Sequence, residues 1–133
     1  METKQVIVIR KDLKMRKGKM IAQGAHASMK VILDEMFIIN FNENHTKMEM
    51  TMNHQTPLFA WINGIFTKVV VGCDSEEELL VLQSSANIYK IRNAIIQDSG
   101  LTEFHGVPTY TALAIGPDEN EKIDKVTGHL KLL

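Results

Sequence analysis

Four consecutive β-branched residues, Val6-Ile7-Val8-Ile9, limit what this chain can become more than any other feature. A strand with one solvated face alternates apolar and polar side chains, so an unbroken run of this kind needs cover on both faces. A central strand with helices on either side meets that need, and the rest of the sequence supplies the parts. Lys68-Val69-Val70-Val71 reads as a second buried strand, and Ala94-Ile95-Ile96 as a third that ends at Gln97-Asp98-Ser99-Gly100. Thr109 to Ile115 reads as a fourth, stopped by Gly116-Pro117.

Helical patterns lie between the strands. Ile21, Ala25, Met29, Ile32 and Met36 recur every three or four residues and form an apolar stripe. Thr56-Pro57 provides a cap and a first-turn proline for a short helix that carries Trp61 and stops near Gly64. Ser75 and Glu78 have the spacing of a capping box at the start of another helix. A last short helix is expected at about 119–126. Residues 38–55 are polar and rich in methionine, without a clear period, and read as a frayed helix end followed by a loop.

Strands that alternate with helices predict an α/β fold with a mostly parallel sheet. The link between the third and fourth strands is too short for a parallel crossover, so the fourth should run antiparallel. The 133 residues suit a single domain, 1–133, with a variable insert at about 38–60. The one cysteine, Cys73, allows no internal disulfide. No apolar run approaches the roughly 20 residues of a membrane helix, and the start of the chain has no signal-peptide pattern. The expected location is therefore cytoplasmic, with no membrane partner.

A net charge of −1 does not by itself point to a polyanion, but the distribution does. Arg10, Lys11, Lys14, Arg16, Lys17 and Lys19 crowd one ten-residue loop that contains a single acid, Asp12. In open α/β sheets ligands bind beyond the carboxyl ends of the parallel strands. That rule selects this loop and the segment from Asp98 to Pro108, with Thr109 and Thr111 alongside. On the first long helix, Lys19, Gln23, His26 and Lys30 share a stripe roughly 130° from the apolar one. Lys19 also sits where free backbone N–H groups favour an anion. His45, His54, His105 and His129 show no metal-ligand spacing, so no metal or other cofactor is expected.

In order along the chain, Arg10-Lys11-Asp12-Leu13-Lys14-Met15, Lys17-Gly18-Lys19-Met20-Ile21-Ala22-Gln23, Ala25-His26-Ala27, Lys68-Val69-Val70-Val71, Gln97-Asp98-Ser99-Gly100, Thr111 to Pro117 and Ile123 to Leu133 resemble the second, archaeal and eukaryotic type of peptidyl-tRNA hydrolase. The resemblance covers nearly the whole chain apart from 38–60. It implies a three-layer α/β/α domain whose four-stranded mixed sheet has the order 2-1-4-3, counting strands along the chain. It implies metal-free hydrolysis of the ester between a peptide and the 3′ end of tRNA, which recycles stalled peptidyl-tRNA. It also implies a homodimer, and a functional cluster of Lys19, Asp98, Thr102 and Thr111 with Gln23 and His26 close by.

The chemistry of ester hydrolysis suits those residue types: an oriented water, a proton acceptor and positive charge for the oxyanion. Asp98 is the candidate base or water-orienter, and Lys19 the electrostatic stabiliser. Thr102 and Thr111 would position water or substrate. His26 is the alternative proton carrier, because histidines as a class titrate near neutrality. Arg10, Lys14, Arg16 and Lys17 would hold the tRNA backbone without reading its sequence. Leu101 stands where the family commonly has a basic residue, and Glu103 where it has glutamine. Glu103 is expected to raise the pKa of Asp98 by like-charge repulsion. These two changes motivate an alternative reading, a non-catalytic tRNA-binding module that retains the fold.

Overall fold

The computed structural model describes residues 1–101 and 103–133. Within them it is an α/β structure with four helices, a mixed four-stranded sheet and a separate two-stranded sheet. Strand β1 (Thr3–Arg10) leads into helix α1 (Lys17–Leu33) and a hairpin of β2 (Phe37–Asn42) and β3 (His45–Glu49). Helix α2 (Pro57–Asn63), strand β4 (Lys68–Cys73) and helix α3 (Glu76–Ile88) follow. Strands β5 (Asn93–Asp98) and β6 (Thr109–Glu119) and helix α4 (Asn120–Thr127) complete the chain.

The main sheet has the order β4-β1-β6-β5. β1 pairs parallel with β4 and antiparallel with β6, and β6 pairs antiparallel with β5. Alternate residues of β1 therefore serve two cores. Val6 and Val8 pack with Leu79 and Leu82 of α3 and with Ile123 and Val126 of α4. Ile7 and Ile9 pack with Ala27 and Val31 of α1 and with Ala112 and Ala114 of β6. The unbroken apolar run is thus covered on both faces, because each face meets helices. Local signals act as expected at the caps: Phe59 N–H donates to Thr56 Oγ1, and Glu78 N–H to Ser75 Oγ. Trp61 is buried and donates from its indole N–H to the Thr67 carbonyl at 2.7 Å.

Three expectations need correction. Residues 37–49 form a hairpin rather than a frayed helix and loop; alternation of Phe37, Ile39 and Phe41 with Ile38, Asn40 and Asn42 is a strand period set beside a turn at Glu43-Asn44. Strand β6 continues through Gly116-Pro117 to Glu119, because the irregularity in the β1–β6 ladder between Lys4 and Val6 falls opposite and leaves no ladder donor for the proline to supply. Helix α1 turns a different face to the sheet than its apolar stripe. Its buried residues are Gln23, Gly24, Ala27 and Val31, while Ile21 is 73% and Met29 55% exposed. The helix packs its small residues against β1, where a Cβ on Gly24 would sit in ordinary van der Waals contact with Ile7 Cγ2 at 3.5 Å. Gln23 can be buried because its amide finds partners, as described next.

Candidate active site

The carboxyl ends of β1 and β5 and the first turns of α1 meet at one edge of the sheet. Lys19 lies in the first turn of α1, where the Arg16 side chain does not cap the helix and the first turn has no acid. Lys19 Nζ contacts Asp98 Oδ2 at 2.6 Å, across 79 positions of sequence. The two side chains are only 14% and 12% exposed. Gln23, one turn further on, donates its amide to the same Asp98 oxygen at 3.4 Å and accepts a hydrogen bond from Thr111 Oγ1. Thr111 is fully buried. It falls at the register shift where β6 holds one residue more than β5, between the pairs Gln97–Tyr110 and Ile96–Ala112. That bulge aims the hydroxyl at α1.

The other Asp98 oxygen, Oδ1, accepts the Gly100 N–H at 2.7 Å. Gly100 has φ +83, and a Cβ there would run into the Val107 backbone, so the turn that presents this N–H requires glycine. The hydrogen bond from Lys19 is the largest influence on Asp98 and holds its carboxyl below the ordinary aspartate value. Partial burial opposes it, and the Gly100 N–H and the charges of Lys19 and His26 assist. Asp98 is therefore an ionised carboxylate whose oxygens are met by protein donors. The expected upward push from Glu103 is overturned: the carboxyl is lowered, and Glu103 is instead near Arg16, with Oε1 3.6 Å from Nε. An unforeseen neighbour is Phe104, whose ring centroid is 5.7 Å from Lys19 Nζ. A single aromatic in an irregular loop carries no periodic signal, so only the folded loop reveals it.

His26 is exposed on α1, yet close enough for its charge to act on Asp98. Lys14, Arg16 and Lys17 are exposed around the same edge. Arg10 is not part of that exposed set, which corrects its expected role as a backbone contact. The residue is 8% exposed, and its guanidinium donates to Asp12 at 3.1 and 2.6 Å, while Nη1 donates to the Tyr110 carbonyl at 3.0 Å. The paired acid, two residues along, holds the charge inward and ties the β1 loop to β6. Thr102 lies outside the described residues. Lys19, Gln23, Asp98 and Thr111 are thus brought together from three elements, with His26 at the rim.

Residues 3–133, nearly the entire chain, match the family described as Peptidyl-tRNA hydrolase PTH2. The chain belongs to this family. Among curated relatives, the peptidyl-tRNA hydrolase of Methanocaldococcus jannaschii is 42% identical over 130 residues, which covers 98% of this chain and 99% of the relative. That of Thermococcus onnurineus is 41% identical over 134 residues and covers 98% and 97%. A solved structure of a protein of unknown function from Agrobacterium tumefaciens strain C58 aligns over 100% of this chain and 98% of its own, with a TM-score of 0.57 at 12% identity. That likeness concerns the fold alone. For a member of the PTH2 family, the edge that gathers Lys19, Gln23, Asp98 and Thr111 is the natural candidate for the active site, because charge, buried hydroxyl and ordered amide converge there. No helix among the described residues is long and apolar enough to cross a membrane.

Proposed function

We propose that this chain hydrolyses the ester bond between a peptide and the 3′ end of tRNA. Membership of the PTH2 family supports the reaction, and the observation that carries its location is the Lys19–Asp98 contact at 2.6 Å, braced by Gln23 and Thr111. Water attacks the ester carbonyl carbon, the ribose oxygen leaves as the tRNA hydroxyl, and the peptide leaves as a carboxylate with loss of one proton. Lys19 stabilises negative charge on the carbonyl oxygen in the transition state. Asp98 already accepts from Lys19, Gln23 and Gly100, and it is held low, so it orients Lys19 rather than acting as the base. His26, exposed at the rim, is then the group that carries the proton. Thr111 fixes the Gln23 amide, and Thr102 is assigned to substrate positioning on the family resemblance alone. Lys14, Arg16 and Lys17 contact tRNA phosphates.

The same reading includes a single functional domain over 1–133, the three-layer α/β/α arrangement with the four-stranded order 2-1-4-3, action in the cytoplasm without a metal, and a homodimer. The non-catalytic alternative rests on Leu101 and Glu103; Arg16 beside Glu103 offsets the added negative charge and weakens that case. The deciding experiment is release of an N-acetylated amino acid from aminoacyl-tRNA by the purified chain, by Lys19→Ala and in the presence of a chelator. Chelator-resistant turnover that the substitution abolishes supports the proposal; absence of turnover by the unaltered chain refutes it.

A further inference from the structure

Arg10 belongs to the basic loop but is turned away from solvent, and the hydrolytic reading gives it no task. Its main chain is held on the β4 side, where Arg10 pairs with Cys73 and the next N–H, that of Lys11, donates to the Cys73 carbonyl at 2.7 Å. On the other side the ladder with β6 runs only as far as the pair Ile9–Ala112. Beyond that pair the guanidinium takes over, with Nη1 donating to the Tyr110 carbonyl at 3.0 Å. Nε and Nη2 are fixed on the two Asp12 oxygens at 3.1 and 2.6 Å. Guanidinium donors form a planar fork of fixed geometry, so the two bonds to Asp12 set the direction in which Nη1 points. The hydrogen bond from Arg10 also holds the Asp12 carboxyl below its ordinary value, which keeps the pair charged at neutral and mildly acidic pH.

The carbonyl that Arg10 holds lies next to Thr111, the extra residue of the β6 bulge. A bulge disrupts the ladder locally, so the course of the strand there depends on what anchors each flank. Ala112 is anchored by its pairs with Ile9 and Ile96, and Tyr110 by its pair with Gln97 and by Arg10. Between them the buried Thr111 hydroxyl donates to Gln23 Oε1, and Gln23 Nε2 donates to Asp98 Oδ2, the oxygen that Lys19 Nζ meets.

We propose that Arg10 is a positioning residue for the hydrolysis: braced by Asp12, it pins the Tyr110 carbonyl, fixes the β6 bulge, and so sets the Thr111 hydroxyl that holds Gln23 against Asp98 and Lys19. The assignment rests on the hydrolytic reading for its kinetic consequence, whereas the contacts it invokes stand without that reading. It gives a purpose to a cation spent inside the fold at an edge where Lys14, Arg16 and Lys17 are open to solvent. It also gives a reason for arginine at this position. A lysine ammonium is a point charge without the planar fork, and it does not grip Asp12 and the Tyr110 carbonyl together in one fixed geometry. A misplacement of about 1 Å within a reacting constellation costs about 10² in rate. Arg10 acts through one bulge and one amide, so a smaller loss, about tenfold, is expected of its replacement.

Single-turnover release of N-acetylated amino acid from tRNA tests it, well below the melting temperature of each protein, with the unaltered chain, Arg10→Lys, Thr111→Val and the double variant. Arg10→Lys should lower the rate about tenfold and leave the half-saturating tRNA concentration within about twofold, because the charge is kept. The double variant should be no slower than Thr111→Val, since Arg10 has nothing left to act through once the hydroxyl is gone. In ¹H–¹⁵N spectra of the free protein, Arg10→Lys should shift the side-chain amide signals of Gln23, a residue it does not touch. An unchanged rate in Arg10→Lys beside a lowered Tm would make Arg10 purely structural and overturn the proposal. Losses that multiply in the double variant overturn it too, as do unmoved Gln23 signals. If Arg10→Lys does not fold, Asp12→Asn, which loosens the fork from an exposed position, is judged by the same three results. No turnover by the unaltered chain would refute the hydrolytic reading instead, and the Gln23 signals would then decide the positioning contacts alone.

Discussion

Replacing Asp98 by Asn keeps the shape of the side chain and removes the charge that orients Lys19. The substitution weakens a charge-assisted hydrogen bond of 2.6 Å between two side chains that are 14% and 12% exposed. Such bonds contribute about 1.5–3 kcal/mol; the amide oxygen of Asn still accepts, so a net loss of about 1–2 kcal/mol of stability is expected. Activity should fall further. Loss of one preorganised group that stabilises an oxyanion costs about 10²–10³ in kcat. If Asp98 works through Lys19, then Asp98→Asn and Lys19→Ala each lower kcat by about that much, and the double variant falls no lower than the worse single one. The cycle would then give a coupling of about 3–4 kcal/mol, the whole of one single loss. Single-turnover release of N-acetylated amino acid from tRNA measures the chemical step, and fluorescence polarisation with labelled tRNA checks that binding changes little. Multiplicative losses, with the double variant about 10⁴-fold or more below the unaltered chain, would refute the reasoning, because Asp98 would then act independently of Lys19.

Arg10→Ala should lower Tm, because Asp12 and the Tyr110 carbonyl then lack their donor, but leave the salt dependence of tRNA binding nearly unchanged. Lys17→Ala, in contrast, should reduce the slope of log affinity against log salt by about one. Gly100→Ala, at φ +83 and against the Val107 backbone, should cost on the order of 1–3 kcal/mol and slow turnover by displacing the N–H that holds Asp98; thermal unfolding and kinetics read both. Because the folded pKa of Asp98 is depressed, its stabilising contribution is present above the ordinary aspartate range and is lost as pH falls through the lower folded value. The stability gap between the unaltered chain and Asp98→Asn should therefore be the same at pH 7 and pH 5 and shrink towards pH 3, as denaturant unfolding at each pH would record. His26→Ala should lower single-turnover kcat while leaving tRNA affinity nearly unchanged; unaltered turnover would exclude His26 as the proton carrier.

Runs and spacings carry much of the architecture. Val6 to Ile9 read as a strand covered on both faces, and the structure buries Val6 and Val8 in one core and Ile7 and Ile9 in the other. The caps at Thr56 and Ser75 are legible because a cap is a contact between residues three apart. The hairpin escapes a reading of the sequence because its strands are short and polar residues interrupt them, so composition outweighs alternation. The cluster of Lys19, Gln23 and Asp98 is within reach of the rule that ligands gather at the carboxyl ends of parallel strands.

Tertiary structure alone decided the rest. Which face of α1 meets the sheet was not a matter of hydrophobicity: the buried face carries Gly24, Ala27 and Val31, and Gln23 is buried at low cost once Thr111 and Asp98 satisfy it. Arg10 and Arg16 look alike in one basic loop, yet one is locked to Asp12 and the other is open to solvent. A sequence determines local preference, since period, cap and turn depend on near neighbours. Whether a polar group is spent inside the fold or offered to a substrate depends on partners up to a hundred residues away, and only the folded chain brings those partners within a hydrogen bond.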